Sequence, residues 1–195
     1  MTWKVTTDPE YLSLTLDEAK AYLRVQHASE DSTITDCIRA ATSYCEEELD
    51  LAIMEQQITL KMDAFPVGAI KLPRTNLLSV TSVSYIDTNG DSQAFTDFTV
   101  DDFSSPARIV ANDDWPDAKS ITNAVTIVYQ AGFKSDQSGS AAENPAPGAV
   151  MQAMRLLITH YFDNRNTVVI GSGIAGSEVA LTVTVLLQKF RRLGI

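Results

Sequence analysis

Three glycines near the end of the chain have the spacing of a dinucleotide-binding loop. Gly171, Gly173 and Gly176 match the pattern in which the backbone closely approaches a pyrophosphate. Such a loop also needs a helix and a further strand after it, and an acidic residue about 20 positions later. Only 19 residues follow Gly176, and none after Glu178 is acidic. The pattern therefore predicts a flexible tether rather than a cofactor site.

Two short acidic segments could bind a cation or transfer protons. The segment from Asp87 to Asp91 has a faint similarity to a calcium loop, but it lacks the twelve-residue spacing and the closing Glu of an EF-hand. Because it contains Asn-Gly, we interpret it as a hairpin turn. The segment from Asp113 to Asp117 places three carboxylates beside Trp115. No second set of acid–base groups accompanies them, so we predict an exposed loop anchored by the tryptophan.

Histidines and cysteines are few in this sequence. His27 lies among polar residues, where we expect it to be solvated, and His160 lies near a predicted helix end. Cys37 and Cys45 are eight positions apart in a predicted helix, which puts their Cα atoms about 12 Å apart, too far for a disulfide. We expect two buried free thiols. The sequence therefore predicts no catalytic residue, no cofactor and no metal, and a protein that is not an enzyme.

The charge of the chain is negative and unevenly distributed. Of 195 residues, 15 are basic and 25 acidic, for a net charge of −10. This disfavours a free-standing nucleic-acid-binding protein, which needs clustered Lys and Arg. Residues 141–195 nevertheless carry 5 basic and 3 acidic groups, so we expect the C-terminal quarter to meet a different partner. No apolar run approaches the ~20 residues of a membrane span, and no secretory signal is visible, so no membrane partner is expected.

Periodicity predicts helices at both ends of the chain and strands between them. Thr15 and Glu18 form a capping-box pattern, and apolar residues recur at helical spacing from Ile34 to Leu49. Alternating segments follow, with a hairpin turn at Asn89-Gly90 and a return strand predicted after it at 95–100. The predicted helices cover residues 14–25, 33–50 and 147–163, and the predicted β insertion covers residues 56–131.

The last segment of the sequence fits two structures. The alternating apolar residues between Val179 and Val185 are typical of a strand, whereas Leu186, Leu187 and Phe190 favour a short helix. We predict an α+β fold: a small bundle of two N-terminal helices and one long C-terminal helix, with an inserted antiparallel β region and an extended C-terminal tail. Residues 1–177 would form a single domain, and residues 178–195 would form the tail.

The order of the segments resembles the head–tail connector family of tailed bacteriophages, also called adaptors or head-completion proteins, in its longer form with a β insertion. No single motif is specific, but the resemblance spans nearly the whole chain in the same order. The matching segments are LTLDEAKAYLRV at 14–25, the helix at 34–49, Phe65-Pro66, IKLP at 70–73, LSVTSVSYID at 78–87, Asn89-Gly90, Trp115-Pro116, AVTIVYQAG at 124–132, HYFDNR at 160–165 and LLQKFRR at 186–192.

This resemblance implies a structural virion protein without catalysis. Family members form a ring, usually of twelve subunits, beneath the portal protein, and the ring extends the DNA channel toward the stopper or tail-completion protein. Double-stranded DNA would only pass through the channel. The implied location is the head–tail interface of the virion, with assembly in the host cytoplasm. A tail-side completion or stopper protein is the alternative, although stoppers tend to be β-barrel-like.

The resemblance also implies that the C-terminal segment reaches the portal. In this chain, apolar side chains would enter a groove of the portal, and basic side chains would pair with acidic groups there. We therefore expect removal of residues 178–195 to abolish portal binding without changing thermal unfolding. The predicted portal-docking residues are Leu186, Leu187, Lys189, Phe190, Arg191 and Arg192.

Overall fold

The structure is a computed structural model that describes residues 1–74, 76–133, 146–164 and 175–190, and the side chains of all of these except 175–180. Contacts divide the chain into two compact units. The strand unit consists of Met1–Glu10 and Met54–Phe133, and the helical unit of Tyr11–Ile53 and Lys134–Ile195. The predicted α+β class is confirmed, with antiparallel sheets in one unit and helices in the other.

The strand unit contains two antiparallel sheets. The larger sheet has the order β1-β2-β8-β4-β5, and the smaller has the order β3-β7-β6. The strands are β1 (Thr2–Thr7), β2 (Gln56–Met62), β3 (Ile70–Lys71), β4 (Leu77–Ile86), β5 (Ser92–Ala94), β6 (Phe98–Asp101), β7 (Arg108–Ala111) and β8 (Val125–Ala131).

Strand β8 lies at the centre of the larger sheet, between β2 and β4. Its side chains alternate strictly, with Val125, Ile127, Tyr129 and Ala131 buried. This alternation places one face of the strand in the core, as the two-residue period of a strand requires. The buried Tyr129 hydroxyl donates a hydrogen bond of 2.6 Å to the carbonyl oxygen of Pro73, which satisfies its polar end.

The Asn-Gly hairpin turn between β4 and β5 is confirmed, and Asp87 organises it. One carboxylate oxygen of Asp87 accepts hydrogen bonds from the backbone N–H groups of Asn89, Gly90 and Asp91 at 2.9–3.0 Å. The other oxygen accepts from the side-chain amide of Gln93 at 3.0 Å. These hydrogen bonds, those of Asp91 and Gln93 foremost, lower the pKa of Asp87 because they favour its charged form. The acidic segment therefore serves as a turn.

The described residues of the helical unit form four helices. They are α1 (Leu16–Leu23), α2 (Asp31–Leu49), α3 (Gly148–Asp163) and α4 (Ala175–Gln188). The stripe predicted on α2 is buried, from Ile34 to Leu49, and it packs against α3. Helix α1 begins with the predicted capping box, in which Thr15 and Glu18 exchange hydrogen bonds of 2.9 and 3.2 Å. Cys37 and Cys45 are buried and do not form a disulfide with each other, as expected.

Burial and two neighbouring carboxylates keep Cys45 unreactive. Burial contributes most, and Glu46 and Glu48 add to it, raising the pKa of the Cys45 thiol to about 12. Since the thiolate is the nucleophile, this group is inert at neutral pH. Glu46 has a structural role, because its carboxylate accepts a 2.8 Å hydrogen bond from the backbone N–H of Ile53 just after the helix.

Three sequence predictions need correction. The chain begins with strand β1 rather than with helices, because Thr2–Thr7, in which only Trp3 and Val5 alternate with polar residues, pairs with the distant strand β2. The predicted return strand at 95–100 is divided, since β5 ends at Ala94 and Phe98 begins β6 in the other sheet. The tail is not extended, because helix α4 occupies Ala175–Gln188. The predicted glycine-rich tether falls largely on residues 165–174, outside the described residues.

Gly132 occupies the point where the chain leaves the sheet. Its φ of +135° is a conformation that side chains disfavour, and a Cβ there would overlap the backbone carbonyl of Met54. The same Cβ would lie 2.6 Å from the backbone nitrogen of Glu55. Next to it, Phe133 forms a parallel bridge with Met54. Only glycine allows the outgoing and incoming chain segments to approach this closely.

We expect Gly132→Ala to destabilise the strand unit by about 3 kcal/mol, through backbone overlap added to conformational strain. The control is Gly68→Ala, which has a similar φ of +96° but open space around its Cβ. We expect Gly68→Ala to lower the free energy of unfolding by about 1 kcal/mol. Urea unfolding followed by the fluorescence of Trp3 and Trp115, both in the strand unit, measures the difference. Equal losses in the two variants would contradict the role of the close approach.

Candidate docking site

Helix α4 is apolar on two opposite faces. Val183 and Leu187, four residues apart, are buried at 0% and 1% exposure. Leu181 and Val185, also four apart, are exposed at 66% and 61%. At 100° per residue these two pairs lie on nearly opposite sides of the helix. Helix α4 packs against α3 and also contacts α2, so its inner face belongs to the core and its outer face is apolar surface.

The six predicted docking residues do not form one exposed surface. Leu187 is a core residue of the helical unit, and Leu186 is half-buried. Lys189 is exposed and Phe190 half-buried, in a turn where the backbone N–H of Phe190 donates a 2.8 Å hydrogen bond to the carbonyl oxygen of Leu187. Arg191 and Arg192 lie outside the described residues. The structure therefore brings together Leu186, Lys189 and Phe190 at the end of α4.

The burial of Leu187 changes one expectation from the sequence. Removing residues 178–195 would delete Val183 and Leu187 from the core as well as any docking surface. Loss of two buried aliphatic side chains costs several kcal/mol, so thermal unfolding would shift. After such a deletion, a loss of portal binding could come from lost docking contacts or from a destabilised fold. Substitutions of exposed residues on the outer face of α4 separate these two effects, because they leave the core intact.

Sequence reasoning missed Leu181 and Val185. The signal was present, because the two residues have a helical spacing of four and no charged residue lies between them. It was hidden because Val179, Leu181, Val183 and Val185 also alternate at the period of a strand. The arrangement was decided by packing on α3, which a local pattern does not record.

The other candidate residues show no catalytic arrangement. His27 is exposed, and its Nδ1 lies 2.7 Å from the hydroxyl of Ser29. His160 lies in the last turn of α3, where its Nδ1 is 3.3 Å from the amide nitrogen of Asn164. Within the described residues, no group of three His, Cys, Asp or Glu side chains is placed to hold a metal ion. In the same part of the chain, no helix is both long and apolar enough to cross a membrane.

The acidic loop is anchored by its tryptophan, as the sequence predicted. The indole N–H of Trp115 donates a 2.7 Å hydrogen bond to the carbonyl oxygen of Gly68. Its ring stacks on Phe65, with centroids 4.8 Å apart and planes within 8°. Asp113, Asp114 and Asp117 remain exposed around it. The loop is a fixed part of the surface of the strand unit.

The fold has counterparts among solved structures of gene transfer agent (GTA) particles. One is the neck of an empty GTA particle computed with C6 symmetry, with a TM-score of 0.81 and 21% identity. A second is the virion of a native GTA particle, with a TM-score of 0.79 and 20% identity. A third is the neck of a native GTA particle computed with C12 symmetry, with a TM-score of 0.76 and 20% identity. Each match covers 100% of this chain and 97% of the other. At these identities the likeness shows the fold alone.

Sequence comparison identifies the family. No curated protein sequence gives a significant match. The family model described as "Head completion protein" matches residues 13–193, which is nearly the whole chain. This match includes both predicted N-terminal helices, the β insertion and helix α4. The resemblance found in the order of the sequence segments is thereby confirmed, and the chain belongs to the head completion protein family.

Proposed function

We propose that this protein is a structural head–tail connector, an adaptor subunit of the neck of a tailed phage or phage-like particle. Copies of the chain would form a ring beneath the portal protein, extend the DNA channel and link the head to the tail during packaging and ejection. The observation that carries the proposal is the family match over residues 13–193. The full-length similarity of fold to proteins in GTA necks and virions supports it.

Twelve copies is the ring size that we propose. One similar neck structure was computed with C6 symmetry and another with C12 symmetry. A ring of twelve is compatible with both, because twelvefold symmetry contains sixfold symmetry. Heterologous contacts between identical subunits close into such a ring when the rotation between neighbours divides a full turn.

The charge of the chain suits a conduit for DNA. A net charge of −10 disfavours tight binding to a phosphate backbone, so DNA sliding through the ring would meet little resistance. The DNA would therefore be cargo that passes through. We expect the assembled protein at the head–tail interface of the virion, after assembly in the host cytoplasm.

We propose that the end of the chain, residues 178–195, docks onto the portal. The exposed Leu181 and Val185 on the outer face of α4 would bury against an apolar groove of the portal. Leu186 and Phe190, both half-buried, would extend this contact, and Lys189, Arg191 and Arg192 would pair with acidic groups around the groove. Leu187 would support the surface from within the core.

A tail-side completion or stopper protein is the second candidate. Stopper proteins tend to be β-barrel-like, whereas the described part of this chain combines a unit of α-helices with two open antiparallel sheets. The two candidates differ in their partner, because an adaptor binds the portal and a completion protein binds the end of the tail.

The proposal predicts a ring on the portal. When the protein is mixed with the portal ring of the same particle, electron microscopy should show an added ring of density with twelvefold symmetry. A parallel sample contains isolated tails instead of portals. Absence of density on an intact portal ring, or density on the tails alone, would reject the adaptor role and favour the tail-side alternative.

The docking surface can be tested without disturbing the core. The double variant Leu181→Asp/Val185→Asp should weaken portal binding about a hundredfold, because two charges would enter an apolar contact at more than 1 kcal/mol each. Its melting temperature should change little, since both side chains are exposed. Titration of the portal by light scattering or calorimetry measures the affinity.

The matched control for this variant is Val100→Asp/Ile121→Asp, which changes two exposed apolar residues of the strand unit. It should bind the portal like the unaltered protein. A second control, Val183→Asp/Leu187→Asp, should lower the melting temperature sharply because both residues are buried. Equal portal binding by the Leu181/Val185 and Val100/Ile121 variants would remove α4 from the docking surface.

The basic residues should act mainly on the rate of association. In the triple variant Lys189→Gln/Arg191→Gln/Arg192→Gln, we expect association with the portal to slow about tenfold at low salt, because long-range steering is lost. The difference should shrink as salt is raised, since screening removes the same attraction from the unaltered protein. Stopped-flow measurements over a range of salt concentrations would check this. A salt-independent difference would contradict electrostatic steering.

A further inference from the structure

A cleft of about 850 Å³ opens on the strand unit. Two segments line the cleft. One is Ala64–Gly68, which precedes β3, and the other begins with the last two residues of β7, Val110 and Ala111, and continues to Ala118. The helical unit contributes none of these lining residues. The cleft is therefore separate from helix α4 and from the portal surface proposed above.

Two aromatic residues, Phe65 and Trp115, line this cleft, and Phe95 and Tyr85 pack against them. Phe65 and Trp115 stack on each other, and Phe95 packs 5.3 Å from the indole centroid. Tyr85 meets Phe65 edge-on at 5.7 Å. The indole hydrogen bond to Gly68 fixes the orientation of Trp115. Rings that are already packed lose little entropy when a ligand binds against them.

Three carboxylates line the same cleft. Asp113, Asp114 and Asp117 are exposed, and none forms an ion pair with a described residue of this chain. The guanidinium of Arg108 pairs with Asp101 at 2.8 Å, and the amine of Lys119 lies near Gly90. The rim of the cleft therefore carries three carboxylates that form no ion pair with a described residue, and such a group of carboxylates attracts a cation.

The kind of cation follows from the same geometry. The carboxylates do not converge on a metal position, because no three acidic, His or Cys side chains among the described residues are placed to hold one. A phosphate-bearing ligand would be repelled. A guanidinium group fits both features, because its flat face stacks on an aromatic ring and its N–H groups pair with carboxylates.

We propose that this cleft binds an arginine-bearing segment of a partner protein other than the portal. Charge complementarity carries the assignment: the cleft is acidic and aromatic, and its occupant would be basic with apolar neighbours. The basic end of a second copy of this chain is the competing occupant, but the proposed function already assigns that end to the portal. Because the cleft and α4 belong to different units, either assignment can fail while the other stands.

The test uses the full chain and a short probe peptide, acetyl-Gly-Leu-Arg-Leu-Arg-Gly-amide. Its partner peptide carries neutral citrulline in place of both arginines. Binding is followed through the indole N–H signal of Trp115 in proton–nitrogen NMR spectra, assigned with Trp3→Phe. We expect saturable shifts of Trp115 with the arginine peptide, weakening with added salt, and no shifts with the citrulline peptide. Failure of the arginine peptide to shift Trp115 saturably would overturn the proposal.

Charge variants locate the site. The variant Asp113→Asn/Asp114→Asn/Asp117→Asn should reduce the affinity for the arginine peptide about tenfold, because it removes the three carboxylates that would pair with the arginines. The matched control, Asp8→Asn/Asp91→Asn/Asp102→Asn, removes the same charge from exposed positions of the same unit that do not line the cleft. It should retain the original affinity, and an equal loss in both variants would overturn the assignment to the cleft.

A third peptide identifies the source of the occupant. It has the sequence of residues 186–195 of this chain, LLQKFRRLGI. If it binds the cleft no more tightly than the arginine probe, an outside partner is supported. If it binds at least tenfold more tightly, and self-association of the full chain in sedimentation experiments is lost in the Asp113→Asn/Asp114→Asn/Asp117→Asn variant, the occupant is a second copy and the outside partner is rejected.

Discussion

The fold depends on a close backbone approach at the base of the strand unit. The chain enters this unit at Met54 and leaves it at Phe133, and these two residues are bridged in parallel. Gly132 makes the approach possible because any side chain there would overlap Met54. The long β insertion therefore begins and ends at one point. Helices α2 and α3, which precede and follow the insertion in the sequence, pack against each other within the helical unit.

The parts of the fold that could be predicted are those with local signals. The capping box at Thr15 and Glu18, the apolar stripe from Ile34 to Leu49 and the Asn-Gly turn all depend on residues a few positions apart. Strand β1 was missed because its stability comes from pairing with the distant β2. Sequence patterns record which face of an element is apolar, but not which distant element covers it.

Helix α4 illustrates the same limit and explains the docking hypothesis. Its valines and leucines fit a strand by alternation, yet α3 offers a surface that buries Val183 and Leu187 on a helix. Because Val183 and Leu187 are buried on one face of the helix, Leu181 and Val185 lie on the opposite face and are exposed. The site residues chosen from sequence were close to this surface, but sequence alone did not separate the supporting Leu187 from the exposed pair.

The charge of the chain separates two kinds of recognition. The strand unit presents carboxylates around the stacked rings of Phe65 and Trp115, whereas the sequence after helix α4 contains Lys189, Arg191 and Arg192. Under the two assignments proposed above, a partner that suits the acidic cleft would be repelled by the basic residues near the end of the chain, and the converse would hold for the portal. A connector has to bind different proteins without exchanging them. Under these two assignments, the acidic cleft and the basic residues near the end of the chain would provide that discrimination, through repulsion of the wrong partner as well as attraction of the right one, before any close contact forms.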